Sequence, residues 1–231
     1  MKERLEQKDW GAMAEGLHRD GYAVVGQVLT EDECRELIDG YSDEGRYRKT
    51  IHMERYRFGR GEYKYFGYPL PDLITTIRET VYPHLVPVAN RWMEELGMGV
   101  RFPAQHAGMK ALCKEKGQTK PTALILKYGE GGFNTLHQDL YGEVYFPMQV
   151  VLFLDEDYTG GEFVLTEQVP RAQSKASVVR PRRGDMLVFT TNFRPVKGSR
   201  GWYRVNMKHG VSPVRSGQRH TLGIIFHDAE S

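Results

Sequence analysis

Tyr128-Gly129-Glu130-Gly131-Gly132-Phe133-Asn134-Thr135-Leu136-His137-Gln138-Asp139 decides how this 231-residue chain is read. The glycine cluster marks a turn after the apolar run Ala123 to Lys127. Beyond it, His137 and Asp139 stand two apart, and in an extended backbone such residues project to the same side, where both reach one ion. Two other His-x-acid pairs occur, His18/Asp20 and His52/Glu54. The first lies in a predicted helix, where positions two apart do not share a face. The second lies in a charged segment with no later partner and reads as surface.

Outward from that stretch, short apolar runs alternate with Gly, Pro and Asp: Phe146 to Leu154, Glu162 to Leu165, Met186 to Thr190 and Thr221 to Phe226. Their lengths and punctuation predict a mostly antiparallel β sandwich or jelly roll. Asp157 to Gly161 and Arg183-Gly184-Asp185 read as turns, and Arg194 to Tyr203 as a long loop. His209, just before the last β segment, offers a third ligand. Two histidines and a carboxylate make the facial triad that leaves iron sites open, a poorer match to zinc. Ten positions further, Arg219, Thr221 and Gly223 share one face of a predicted strand, with Leu222, Ile224 and Phe226 on the other. An inward arginine needs an anion; a carboxylate held in a bidentate fork with a hydroxyl helper is one solution, an internal salt bridge the other.

Toward the N-terminus the pattern is helical. Arg4 to His18 reads as a helix, Tyr22 to Val25 as a strand, and Thr30 to Glu33 as a capping box opening the run Cys34, Leu37, Ile38. Pro71 to Leu96 has a helical apolar period that Pro83 and Pro87 are expected to interrupt. With 40% hydrophobic residues, the chain is expected to form a single domain, 1–231, in which 1–119 supply helices and a lid and 120–231 the catalytic β core. No apolar stretch approaches a membrane span, the start is charged, and Cys34 and Cys113 lie far apart, so a soluble cytoplasmic protein with free thiols is expected.

Charge is unevenly placed. Residues 1–167 hold 20 Lys+Arg against 27 Asp+Glu, whereas 168–231 hold 12 against 3, which suits an anionic ligand or a solvated basic surface. Residues 46–68 interleave seven Lys/Arg with seven aromatics. That composition fits phosphate contacts with base stacking, or a β lid packed on the mouth of the core.

These motifs, with Leu126-Lys127-Tyr128-Gly129, Tyr158-Thr159-Gly160-Gly161-Glu162-Phe163, Arg183-Gly184-Asp185-Met186-Leu187-Val188-Phe189, His209-Gly210-Val211 and Gly217-Gln218-Arg219-His220-Thr221-Leu222, resemble the 2-oxoglutarate/iron(II)-dependent oxygenase superfamily, in its prolyl-4-hydroxylase-like form. Segments such as Glu62 to Phe66, Ala89 to Trp92 and Ile224 to Asp228 are similar to a group of bacterial oxygenases linked by similarity to AlkB-type repair. The resemblance implies an α+β protein with a double-stranded β-helix (jelly-roll) core and N-terminal buttressing helices. It implies Fe(II), the cosubstrate 2-oxoglutarate and O2, with His137, Asp139 and His209 on the metal. Arg219, Thr221 and Tyr128 are then expected at the cosubstrate. The implied reaction hydroxylates a C–H bond and releases succinate and CO2. Its prime substrate stays open between alkylated nucleic acid, undergoing oxidative demethylation, and a peptide, prolyl or small-molecule hydroxylation target. A non-catalytic 2-oxoglutarate-binding sensor is the reading from another class.

Overall fold

The computed structural model describes residues 1–169 and 171–231. The N-terminal part carries α1 (Lys2–Glu6), α2 (Trp10–Asp20), β1 (Tyr22–Val25), α3 (Glu31–Asp39), β2 (Tyr47–His52), β3 (Gly59–Arg60), β4 (Glu62–Phe66), α4 (Asp72–Glu95) and α5 (His106–Glu115). Strands follow: β5 (Leu124–Tyr128), β6 (Phe133–His137), β7 (Met148–Phe153), β8 (Tyr158–Gly160), β9 (Phe163–Gln168), β10 (Lys175–Val179), β11 (Met186–Thr190), β12 (Phe193–Gly198), β13 (Gly201–Val211), β14 (Val214–Gly217) and β15 (Arg219–Ile225).

The larger sheet has the order β1-β11-β7-β15-β5-β4-β2, and the smaller β10-β9-β13-β6-β3 with β12 beside β13. All pairings in both are antiparallel. This is the expected jelly-roll core. Strand alternation sorts the larger sheet. Met148, Val150, Leu152, Leu222 and Ile224 join the core shared with the helices, whereas Gln149, Val151, Arg219, Thr221 and Gly223 line a cavity. Both faces of β15 are therefore buried.

Expectation and structure differ at several places. The first helix is two, because Asp9 accepts a hydrogen bond from the Ala12 amide and starts α2 afresh. The capping box at Thr30 is present with both of its hydrogen bonds. Pro83 and Pro87 do not interrupt α4, which runs unbroken for 24 residues. Each proline costs about 3 kcal/mol or more. Fully burying Ile77, Val81, Leu85, Val88 and Trp92 contributes about 1.5–3 kcal/mol apiece and wins. Neither proline is buried, so carbonyls freed on that side can meet water.

Residues 46–68 form β2, β3 and β4, and 53–61 cross from the larger sheet to the smaller. Lys64, one of the seven cations of this segment, is only 5% exposed and so is not free for a phosphate contact. It is bonded to Glu44 and the Tyr41 carbonyl, with the Tyr41 ring 4.5 Å from its ammonium. The expected loop 194–203 is a β12–β13 hairpin. Among the described residues, no helix is long and apolar enough to cross a membrane. Cys34 and Cys113 are free and buried.

Candidate active site

His137 ends β6 and faces His209 on β13 as its Cα partner, which brings their rings to 4.2 Å. Asp139 follows two residues beyond the strand end. Its Oδ2 lies 3.2 Å from His209 Nε2 and its Oδ1 3.5 Å from His137 Nε2. One ligand atom from each residue falls within 4.8 Å of the other two, so the three side chains that spacing singles out do converge. The other two His-x-acid pairs do not. His18 accepts the Trp92 indole N–H at 3.0 Å, and His52 pairs with Glu62 rather than Glu54.

Neighbours aim these groups. His137 Nδ1–H donates to the Thr135 carbonyl at 2.7 Å, which leaves the Nε2 lone pair toward Asp139. Gln149 Nε2 donates to Asp139 Oδ2 at 2.9 Å and Tyr141 Oη to Oδ1 at 3.0 Å. The His209 ring lies parallel to Phe163 and edge-on to Phe189. Burial opposes charge on Asp139, but the His209 hydrogen bond and both nearby imidazoles overcome it and hold the carboxyl well below its ordinary range. Burial and the like charge of His137 lower the His209 imidazole, outweighing the opposite pull of Asp139. The set offers one carboxylate and imidazole lone pairs, the donors a divalent transition metal takes.

Arg219 is 1% exposed and has no carboxylate partner among the described residues. Its Nη1 reaches Thr221 Oγ1 at 3.4 Å, while Nε and Nη2 are buried without a partner. The rings of Tyr128 and Phe153 flank the guanidinium at 5.4 and 5.3 Å. Tyr128 is the Cα partner of Arg219 across the β5–β15 ladder, and its hydroxyl is also buried and unpartnered. Burial pushes that phenol up to about 12, with Arg219 pulling the other way, so it stands as an O–H donor. Gly161 makes room: a Cβ there would lie 2.9 Å from Arg219 Cδ, and its φ of +63° suits only glycine well. A buried cation with unmet N–H groups costs several kcal/mol, which an incoming carboxylate would relieve.

The two ends meet in one cavity of about 250 Å³, walled by the histidines and Asp139 at one place and by Arg219 and Thr221 at another. A small dicarboxylate that chelates a metal at one end and meets a guanidinium at the other fits these unmet donors. Tyr128 and Thr221 lie on the cavity wall, where a cosubstrate role requires them. Gln149 and Tyr141 join the site without having been singled out by spacing or motif. Gln149 carries a signal, as the one polar residue in the run Phe146 to Leu154; Tyr141 carries none.

At the rim, Tyr56 and Phe58 stack at 5.4 Å and are 53% and 44% exposed. Phe58 also lines the cavity. Arg55 and Arg57 flank Tyr56 and are exposed. The Phe58 carbonyl accepts from both the Thr135 amide and its hydroxyl at 2.8 Å, which ties the rim to β6.

Comparison with known proteins agrees with this geometry. Residues 61–229 match the family Oxygenase-NA, described as an oxygenase catalysing oxidative methylation of damaged DNA. An uncharacterized protein of Mycobacterium tuberculosis, found in strains CDC 1551 and H37Rv, is 48% identical over 167 residues, 71% of this chain and 72% of its own. Among solved structures, a Pseudomonas putida prolyl-4-hydroxylase superposes with a TM-score of 0.56 at 14% identity, over 95% of this chain and 99% of that one. A 2OG-Fe(II) oxygenase family oxidoreductase from Burkholderia pseudomallei gives 0.57 at 14% identity, over 96% and 94%. At such identity these two similarities speak for the fold.

Proposed function

Because the chain belongs to the Oxygenase-NA family and is a 2-oxoglutarate- and iron(II)-dependent oxygenase, we propose that its prime substrate is alkylated nucleic acid and its reaction oxidative dealkylation. In this reading His137, Asp139 and His209 hold the iron. Arg219 forks the distal carboxylate of 2-oxoglutarate, Thr221 supports the guanidinium, and Tyr128 donates to the cosubstrate. Bound iron with 2-oxoglutarate and O2 supplies the oxidation of a C–H bond, with succinate and CO2 released. On an N-methyl group, the hydroxymethyl product breaks down to formaldehyde and the free nitrogen. The protein's share is placement: Gln149 and Tyr141 fix the Asp139 carboxylate, Thr135 fixes the His137 ring, and the apolar walls exclude water.

The observation that carries the substrate is the exposed Tyr56–Phe58 stack at the rim of the cavity, with the exposed Arg55 and Arg57 adjacent in the chain. Flat rings with adjacent cations suit an unstacked base and its phosphates. A prolyl substrate would need no such pair. Buried free thiols at Cys34 and Cys113 suit a reducing cytoplasm, where this reading places the protein. The test is anaerobic reconstitution with Fe(II) and 2-oxoglutarate, then exposure to air with N-methylated oligonucleotides, proline-containing peptides or free amino acids. Formaldehyde and succinate formed in equal amounts with the oligonucleotides alone are expected. Hydroxylated peptide or amino acid with untouched oligonucleotide would overturn the reading.

A further inference from the structure

We propose that the β12–β13 hairpin is a second nucleic-acid contact, a stacking and phosphate-binding arm for single-stranded nucleic acid that leads away from the catalytic cavity. The inference rests on the nucleic-acid reading of the site and adds a surface to it.

The hairpin is rooted at the metal-ligand loop. Gln138, between His137 and Asp139, donates its side-chain N–H groups to the carbonyls of Asn192 and Met207, one on either side of the hairpin base. From Asn206 to Val211, β13 is paired with β9. Residues 201–205 pair only with β12, so the ribbon continues past the sheet for about five residues, roughly 17 Å at 3.3–3.4 Å each.

Its side chains are unusual for a solvated ribbon. Residues 194–208 include five Lys/Arg and no Asp or Glu. Arg194 is committed to Glu167 at 2.7 Å. Lys197, Arg200, Arg204 and Lys208 make no ion pair among the described residues, and the first three are exposed. Trp202 and Tyr203 are 39% and 37% exposed. Register puts Lys197 opposite Trp202 and Pro195 opposite Arg204, so Lys197, Trp202 and Arg204 share a face, and strand alternation adds Lys208 to it. Like charges crowded on a narrow ribbon repel one another, and the Trp202 indole is left partly in water. A polyanion with flat, unpaired bases relieves both costs, since phosphates release counterions on meeting the cations and a base covers the indole. An acidic polypeptide would meet the charges but not the ring.

The experiment measures anisotropy of a fluorescent, unmodified oligothymidylate 20-mer bound to the full chain across a salt series. Wild type is compared with Trp202→Ala and with the triple variant Lys197→Gln, Arg204→Gln, Lys208→Gln, with polyglutamate as competitor. Retained Mn(II)- and 2-oxoglutarate-induced thermal shifts check that each variant is folded with its cavity intact. The triple variant is expected to lose about 2 from the slope of log affinity against log salt, at about 0.7 per phosphate contact on a single strand. Trp202→Ala is expected to weaken binding roughly 10-fold at unchanged slope. An oligonucleotide that binds both variants as it binds wild type would overturn the arm while leaving the substrate reading intact. Equal competition by polyglutamate, with no effect of Trp202→Ala, would also overturn it in favour of a general polyanion surface. Variants that lose binding as expected, in a protein that oxidises no alkylated oligonucleotide, would support the arm and overturn the substrate reading instead.

Discussion

His137 and His209 occupy one rung of the β6–β13 ladder, and the register shifts immediately beyond it, between His209 and Val211. The irregularity sits at Gly210, where a Cβ would lie 2.7 Å from the Asn134 carbonyl oxygen. Close approach of the two backbones there, which only glycine permits, keeps the two imidazoles side by side, with ring centroids 4.2 Å apart.

Gly210→Ala is therefore expected to push β13 from β6, at a cost of about 1–3 kcal/mol as an overpacked site. It should also weaken divalent-metal binding. Urea unfolding and Mn(II) titration check this together; unchanged values in both would show that the ladder tolerates the methyl group.

Gln149→Leu removes the donor to Asp139 Oδ2 and keeps the volume. Loss of such a support lowers metal affinity about 10- to 100-fold. Co(II) titration followed by its visible spectrum reads the effect without turnover, and wild-type affinity in the variant would remove Gln149 from the site.

Arg219 separates a structural role from a ligand role. A buried, unpaired guanidinium destabilises the ligand-free protein, so Arg219→Met should leave its melting temperature unchanged or raise it while abolishing stabilisation by 2-oxoglutarate. Arg219→Lys should bind the cosubstrate more weakly, because a point charge replaces a planar fork. A large loss of stability without ligand would point to an internal structural partner.

The pH dependence of folding should carry a mark of His106 and His227. Burial, reinforced by Arg78, lowers both imidazoles to about 3. His106 donates to the Phe226 carbonyl, and His227 Nδ1 accepts the Phe146 amide. Between the unfolded value near 6.5 and about 3 the unfolded chain binds more protons, so stability falls as pH drops through that window, by up to about 1.4 kcal/mol per pH unit for each group. Urea midpoints at pH 7 and pH 5 should converge in His106→Gln and in His227→Gln; an undiminished difference would place the acid sensitivity elsewhere.

Period-two alternation makes the catalytic half legible. It assigns Arg219 and Thr221 to one face of a strand from residue order alone, and it separates His137 with Asp139 from the helical pair His18/Asp20, whereas His52/Glu54 is set aside by its charged surroundings. What escapes is decided by partners. Residues 194–203 look like a loop because from Val196 to Arg204 the ribbon is exposed or half-buried and has no apolar alternation; its one local cue is the pair Gly198 and Gly201 around a two-residue turn. Lys64 looks like a surface cation because nothing nearby in sequence announces Glu44 and the Tyr41 and Tyr47 rings that enclose it. The prolines of α4 mislead for the same reason: their cost is local, and the burial that exceeds it comes from elements distant in the chain.

Thr135 has a double duty whose effect reaches beyond geometry. Its amide and hydroxyl grip the carbonyl of Phe58 at the rim, and its own carbonyl grips the ring of His137. A shift of the Phe58 backbone therefore pulls on the same residue whose carbonyl orients His137. Rim and imidazole are thus joined through a single residue, so a displacement at the doorway has a direct path to the His137 ring.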